Sequence, residues 1–386
     1  MVTEDIRYIG VDDKTLDLFE SQYVVPNGVS YNSYVILDEK VAVMDTVDRR
    51  KTDEFLVNLE QALAGRQPDY LVVQHMEPDH AASIQALVEK YPDVQLVASA
   101  KALQMLPLYF TGLDLSRAIT VKEGDTLSLG RHELTFITAP MVHWPEVIMT
   151  YDKCDKVLFS ADGFGKFGAL DADEDWDCEA RRYYFNIVGK YGPQVQSVLK
   201  KAAGLDIALV CPLHGPVWRK DFGSFLEKYL LWSSYAPEEK SVMLAYASVY
   251  GHTENAANIL AVKLCERGVR VRMYDTSVTP ASYILSDAFR CSHLVFAATT
   301  YNNGVFVTME NLLHDIANHN LQGRKVAIME NGSWAPASGK LMREMLSGLK
   351  NTQFIGENVT LRSSLAEDQL SQLDALADTI AADINA

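Results

Sequence analysis

No two cysteines in this sequence form a C-x-x-C pair, and the five present (Cys154, Cys178, Cys211, Cys265, Cys291) are scattered and odd in number. That argues against a disulfide scaffold or a thiolate metal site and suits a reducing cytoplasm, the expected location. Long apolar runs are also missing: Ile207–Leu213 is typical, whereas about 20 residues are needed to span a bilayer. The opening MVTEDIRYIG has neither the basic nor the apolar region of a secretory leader. Positive charge is in deficit, with 35 Lys plus Arg against 51 Asp plus Glu and a net charge of −16. Such a field repels phosphate backbones and anionic lipid, so neither a nucleic acid nor a membrane is an expected partner. What is present is ordinary for a folded chain: 386 residues, 48% hydrophobic and 22% charged, enough for two domains.

The polar, proline-containing stretch Ser233-Ser234-Tyr235-Ala236-Pro237-Glu238-Glu239-Lys240 reads as a linker, giving expected domains at 1–236 and 241–386. Beyond it, apolar runs at Val242–Ala247, Val269–Tyr274, His293–Ala298, Lys325–Met329 and Phe354–Thr360 alternate with helical patterns. Five such strands without internal proline predict a parallel α/β sheet. The last helix is expected to start at Ser364, with Glu367 three residues on, and to bury Leu370, Leu373, Ala377 and Ile380. Before the linker the chain is richer in strands: Ser33–Leu37, Val41–Met44, Tyr70–Val73, Gln95–Ala98, Leu134–Ile137, Lys156–Phe159 and Ile207–Val210, with helices such as Asp53–Ala64 between them. This predicts α/β or α+β layers of sheet covered by helices.

Histidine is scarce, nine in all, yet four sit just past apolar runs in the first half. Leu71-Val72-Val73 leads to His75, Glu77, Asp79 and His80; Thr135-Phe136-Ile137 leads to His143; Ile207-Ala208-Leu209-Val210 leads to His214. Val157-Leu158-Phe159 leads likewise to Asp162. Loops beyond strand ends are where side chains from several strands converge. Like charges crowded into one segment are costly unless a cation neutralises them, so the set points to a site for two metal ions.

In the second half, Ser248-Val249-Tyr250-Gly251-His252-Thr253 joins the first strand to a helix, offering backbone N–H groups to a phosphate. Thr300-Tyr301-Asn302-Asn303-Gly304 follows the third strand and Asn331-Gly332-Ser333-Trp334-Ala335 the fourth. Tyr301 and Trp334 would flank a planar ring, with backbone amides bonding its heteroatoms. The three loops resemble the phosphate loop and the two ring loops of flavodoxin, which implies FMN.

The first-half spacing resembles the metallo-β-lactamase superfamily, whose usual opening motif is H-x-H-x-D-H. Here the second histidine is replaced, giving His75-x-Glu77-x-Asp79-His80, the mark of the flavodiiron proteins. The resemblance covers nearly the whole chain. It implies an N-terminal metallo-β-lactamase-like αββα sandwich and a C-terminal flavodoxin-like, doubly wound parallel sheet of five strands. It also implies one iron on His75, Glu77 and His143, a second on Asp79, His80 and His214, and Asp162 bridging them. The exchange to a carboxylate makes chemical sense, because harder anionic donors stabilise Fe(III). The implied activity is reduction of O₂ to water, of NO to N₂O, or both. Electrons would come from a separate donor such as rubredoxin or a reduced flavin or deazaflavin system. The implied assembly is a head-to-tail homodimer or a dimer of such dimers. Trp144 is expected as a wall over the metals and Tyr191 as a nearby hydrogen-bond donor, or both as structural residues. Family members with a histidine in the early loop differ from this chain, which has Pro26-Asn27-Gly28-Val29-Ser30-Tyr31-Asn32. Two other readings compete: a dinuclear zinc hydrolase with an attached flavodoxin module, and an electron-transfer protein whose metal site is structural.

Overall fold

Along the strands of the first half, alternate side chains turn into one shared core. Tyr34 and Ile36, Ala42 and Met44, Leu134 and Phe136, and Val157 and Phe159 all pack in a single buried cluster, as the period of two in a strand requires. The computed structural model describes residues 1–219 and 222–386. It divides into two units, Met1–Tyr184 with Pro193–Glu227, and Phe185–Gly192 with Lys228–Ala386.

In the first unit two sheets supply that core. One runs in the order Ile6–Tyr8, Tyr34–Leu37, Val41–Met44, Tyr70–Val73, Gln95–Ser99, Ile119–Val121. The other runs Thr126–Ser128, Glu133–Thr138, Ile148–Asp152, Val157–Phe159, Leu209–Cys211. Helices Thr52–Leu63 and Ala100–Tyr109 pack on the first sheet. This is the αββα sandwich. Glu133–Thr138 and Val157–Phe159 are both antiparallel to Ile148–Asp152, and Val157–Phe159 is parallel to Leu209–Cys211. The loops holding His143, Asp162 and His214 therefore leave one edge of the second sheet.

The second unit is a doubly wound parallel sheet in the order Val271–Asp275, Glu239–Ala247, Cys291–Tyr301, Lys325–Asn331, Gln353–Phe354. By position in the chain that is 2-1-3-4-5, and ligands bind such sheets where the order reverses. Leu260 and Leu264 of one helix and Leu373, Leu376 and Ile380 of the last helix cover one face. The strand expected at Phe354–Thr360 is broken into Gln353–Phe354 and Val359–Leu361. Between them Gly356 turns to φ +68°, a conformation that takes the backbone out of the ladder. The last helix also begins later than expected. Ala366 N donates to Gln369 Oε1 at 2.9 Å ahead of Leu370–Asn385, while Ser364 lies 3.3 Å from His252 Nδ1. Among the described residues no helix is long and apolar enough to cross a membrane.

Candidate metal centre and cofactor cleft

Tyr70–Val73 ends two residues before His75, and the chain then enters the short helix Pro78–Ala81. Proline at its first position sets the helical φ, and Glu77 caps it in extended conformation, so Asp79 and His80 turn inward together. One donor atom each from His75, Glu77, His143 and Asp162 lie within 4.8 Å of one another, and so do those of Asp79, His80 and His214. Asp162 faces both groups. Its Oδ2 is 3.0 Å from His143 Nε2 and 3.4 Å from His75 Nε2, while its Oδ1 is 3.2 Å from His80 Nε2 and 3.9 Å from His214 Nε2.

The residues fit a pair of cations. His214 Nδ1 donates to the carbonyl of Ser30 at 2.7 Å, and a carbonyl can only accept. In the neutral ring, Nε2 therefore presents its lone pair, and it faces Asp79 Oδ2 at 3.2 Å and His80 Nε2 at 3.0 Å. His75 is alike: Nδ1 donates to Glu146 Oε1 at 2.8 Å and Nε2 points at Glu77, at 3.3 Å. Among the described residues, neither oxygen of buried Asp79 makes a hydrogen bond of its own. Lone pairs and carboxylates aimed at one another repel unless protons or metal ions lie between them.

Without metal, protons take that role. Burial by itself would lower the pKa of His143, but bonds to Asp162 and Glu77 carry it up to about 9. Burial would raise Asp162, yet His75 and His143 hold it well below the usual carboxylate range. A support that sequence reasoning missed lies behind these residues. Asp45, buried, in left-handed conformation and pushed by burial up to about 6, accepts from Gln74 N at 2.7 Å and His75 N at 3.3 Å. Glu146 was missed as well, although its position three residues past His143 was a signal.

Rings wall the site. Trp144 lies 5.3 Å from His75 and 6.1 Å from His143, and Phe19 lies 5.4 Å from His214. Tyr191 falls in the second unit; within the first, the tyrosine rings against His214 are those of Tyr183, at 5.5 Å, and Tyr31, at 6.1 Å. A cavity of about 370 Å³ opens over Glu77 and Asp79, bounded by Phe19, Glu20, Tyr31 and Arg50. Another group of metal-ligand types, His132 with Cys154 and Asp155, is explained by ion pairing: the ring nitrogens of His132 lie 3.1 and 3.2 Å from Asp152 and Asp5.

In the second unit a cleft of about 480 Å³ sits at the ends of the first, third and fourth strands. Ser248, Val249, Tyr250, His252, Thr253, Thr300, Tyr301, Asn302, Asn303, Asn331, Gly332, Ser333, Trp334 and Ala335 line it, joined by Thr299 at the end of the third strand and by Ser363, which the sequence had not singled out. Gly251 and Gly304 shape the adjoining turns without lining the cleft. Gly251, at φ +87°, precedes helix His252–Glu266, whose first amides have no side-chain cap and suit a phosphate. Asn302 and Asn303 take φ +49° and +59° between the paired strands Cys291–Tyr301 and Gly304–Val305, a two-residue hairpin turn that asparagine tolerates. Trp334 and Tyr250 are 87% and 89% exposed, so broad apolar faces stand open at the cleft. Uncapped amides at one end and aromatic faces at the other fit a phosphorylated planar ring.

A family model described as ODP family beta lactamase matches residues 29–215. The nitric oxide reductase of Moorella thermoacetica is 29% identical, covering 90% of this chain and 90% of its own length. The anaerobic nitric oxide reductase flavorubredoxin of Aeromonas hydrophila is 30% identical over 86% of this chain and 70% of its own length. The solved structure of rubredoxin oxygen:oxidoreductase from Desulfovibrio gigas superposes with a TM-score of 0.93 at 28% identity, over 100% of this chain and 98% of that one.

Proposed function

The chain belongs to the flavodiiron proteins, and from that membership we propose that it reduces O₂ to water, NO to N₂O, or both, with electrons passed from a separate donor through FMN to two non-haem irons. The observation that carries the reading is Asp162, whose two oxygens face separate sets of imidazole and carboxylate donors. Reduced FMN and a diferrous pair together supply the four electrons of O₂ + 4 H⁺ + 4 e⁻ → 2 H₂O, and 2 NO + 2 H⁺ + 2 e⁻ → N₂O + H₂O needs two.

In this reading His75, Glu77 and His143 hold one iron, Asp79, His80 and His214 the other, and Asp162 both. The cavity over Glu77 and Asp79 admits a small gas molecule, while Phe19 and Trp144 limit water at the imidazoles. Ser248, Thr253 and the first amides of helix His252–Glu266 hold the FMN phosphate, and Tyr301 and Trp334 flank its ring. Along the chain the diiron domain is assigned to residues 1–236 and the FMN domain to 241–386, with Phe185–Gly192 and the stretch from Lys228 to Ala236 packing with the second unit. The donor is a rubredoxin or a reduced flavin or deazaflavin system, the assembly is a head-to-tail dimer or a pair of such dimers, and the protein works in the cytoplasm.

Anaerobic, donor-coupled turnover with O₂ and NO offered separately, with iron and FMN counted per chain, tests this. Two irons, one FMN and consumption of at least one gas are expected. Two zinc ions and no iron in protein from its native host would favour the hydrolase instead, although Glu77 in place of histidine speaks against that.

A further inference from the structure

The two metal positions carry the same ionic charge in their donor sets. Each has one carboxylate of its own, Glu77 or Asp79, and a share of Asp162. What differs is the group behind the imidazoles. His75 Nδ1 donates to Glu146 Oε1 at 2.8 Å, and the N–H of Met76 donates to the same oxygen at 2.9 Å. The Glu146 side chain is 0% exposed, and among the described residues its Oε2 has no hydrogen-bond partner. Oε1 thus accepts two N–H groups at once, so a buried carboxylate stands directly behind the His75 imidazole. On the other side, His214 Nδ1 donates to the neutral carbonyl of Ser30, and among the described residues the outer nitrogen of buried His80 makes no hydrogen bond.

An anion on the outer nitrogen raises the basicity of an imidazole ligand. A more basic ligand favours Fe(III) over Fe(II). We propose that Glu146 is a positioning residue that makes the two irons inequivalent: acting through His75, it renders that iron the harder to reduce, so a single electron entering the pair settles on the Asp79–His214 side. This rests on the diiron reading above and adds an order of reduction to it.

The test is an anaerobic redox titration of the full-length, iron-loaded protein, followed by electron paramagnetic resonance of the one-electron-reduced pair. The wild type should show two separated steps. In Glu146→Gln the oxygen that accepts both N–H groups remains and only the charge is lost. The lower step should then shift at least tenfold in its equilibrium, about 59 mV for one electron, narrowing the gap while the FMN potential stays put. Glu146→Asp, which keeps the charge, should move back toward the wild type. Two irons per chain in Glu146→Gln with both steps unmoved would overturn the proposal. If that variant fails to fold or loses iron, zinc-loaded wild type decides by proton NMR: the His75 Nδ1–H, bound to an anion, should resonate downfield of the His214 Nδ1–H, and coincident or reversed positions overturn it. A wild type that takes up no iron overturns the diiron reading itself.

Discussion

Asp162 is the one side chain both donor sets share, and at 1% exposure it has no solvent to fall back on. Asp162→Ala should therefore empty both positions rather than one. Iron should fall from two per chain to well below one and turnover by roughly 100-fold or more, with FMN content unchanged, as metal analysis and flavin absorbance will show. A second residue tests electrostatics away from the metals. His132 is fully buried between Asp152 and Asp5. Burial would lower its pKa, but the bond to Asp152 raises it above the ordinary value. A folded pKa above the unfolded one means stabilisation that is complete below about pH 6.5 and is lost as pH rises through the folded value. Melting curves of wild type and His132→Asn should differ most near pH 6, by about 2 kcal/mol for the lost charged hydrogen bonds, and converge in alkali.

Short elements aim the site side chains. The helix Pro78–Ala81 turns Asp79 and His80 inward, and the hairpin through Asn302 and Asn303 presents Tyr301 at the cleft. Because Asn303 holds φ +59°, Asn303→Val places a β-branched residue where its side chain crowds the backbone, at a cost of about 1–3 kcal/mol. The hairpin should loosen and FMN affinity fall about tenfold, since 1.4 kcal/mol is a factor of ten; fluorescence titration of the apoprotein with FMN measures this, and iron content should not change. The same reasoning accounts for the broken last strand. The stretch from Phe354 to Thr360 has apolar residues at both ends and reads as one strand, but Gly356 turns to φ +68° ahead of the polar pair Glu357-Asn358, and the ladder is interrupted there.

At the scale of the whole molecule, the proposed head-to-tail dimer makes a claim that neither unit makes alone: the flavin of one chain serves the irons of its partner. Mixing Asp162→Ala chains, which keep FMN, with chains that keep iron but lack FMN should restore turnover in the hybrid, to about half that of the wild-type dimer because one of two flavin–iron pairs is whole. If flavin and irons of the same chain worked together, every hybrid would be inactive. Turnover of co-expressed, separately tagged chains purified as the hybrid decides between them.

Much of this protein was legible in its residues. Apolar runs with a period suited to strands, and turns rich in glycine and asparagine, are local properties, so sheet layers covered by helices and a following parallel α/β sheet could be read from order and spacing, while the αββα sandwich and the doubly wound order were what the family resemblance implied. The donor types were legible for the same reason, since His75, Glu77, Asp79 and His80 crowd one short segment. Partners that meet across the fold were not. Glu146 meets His75 across 71 positions and the Ser30 carbonyl meets His214 across 184, and Asp45, Phe19 and Tyr183 join the site in the same way. Sequence by itself determined which chemical groups were available and on which elements they ride, because hydrophobic period and turn chemistry act between neighbours. Only the tertiary structure decided which imidazole is backed by a buried anion and which by a neutral carbonyl, because that depends on packing two sheets against each other.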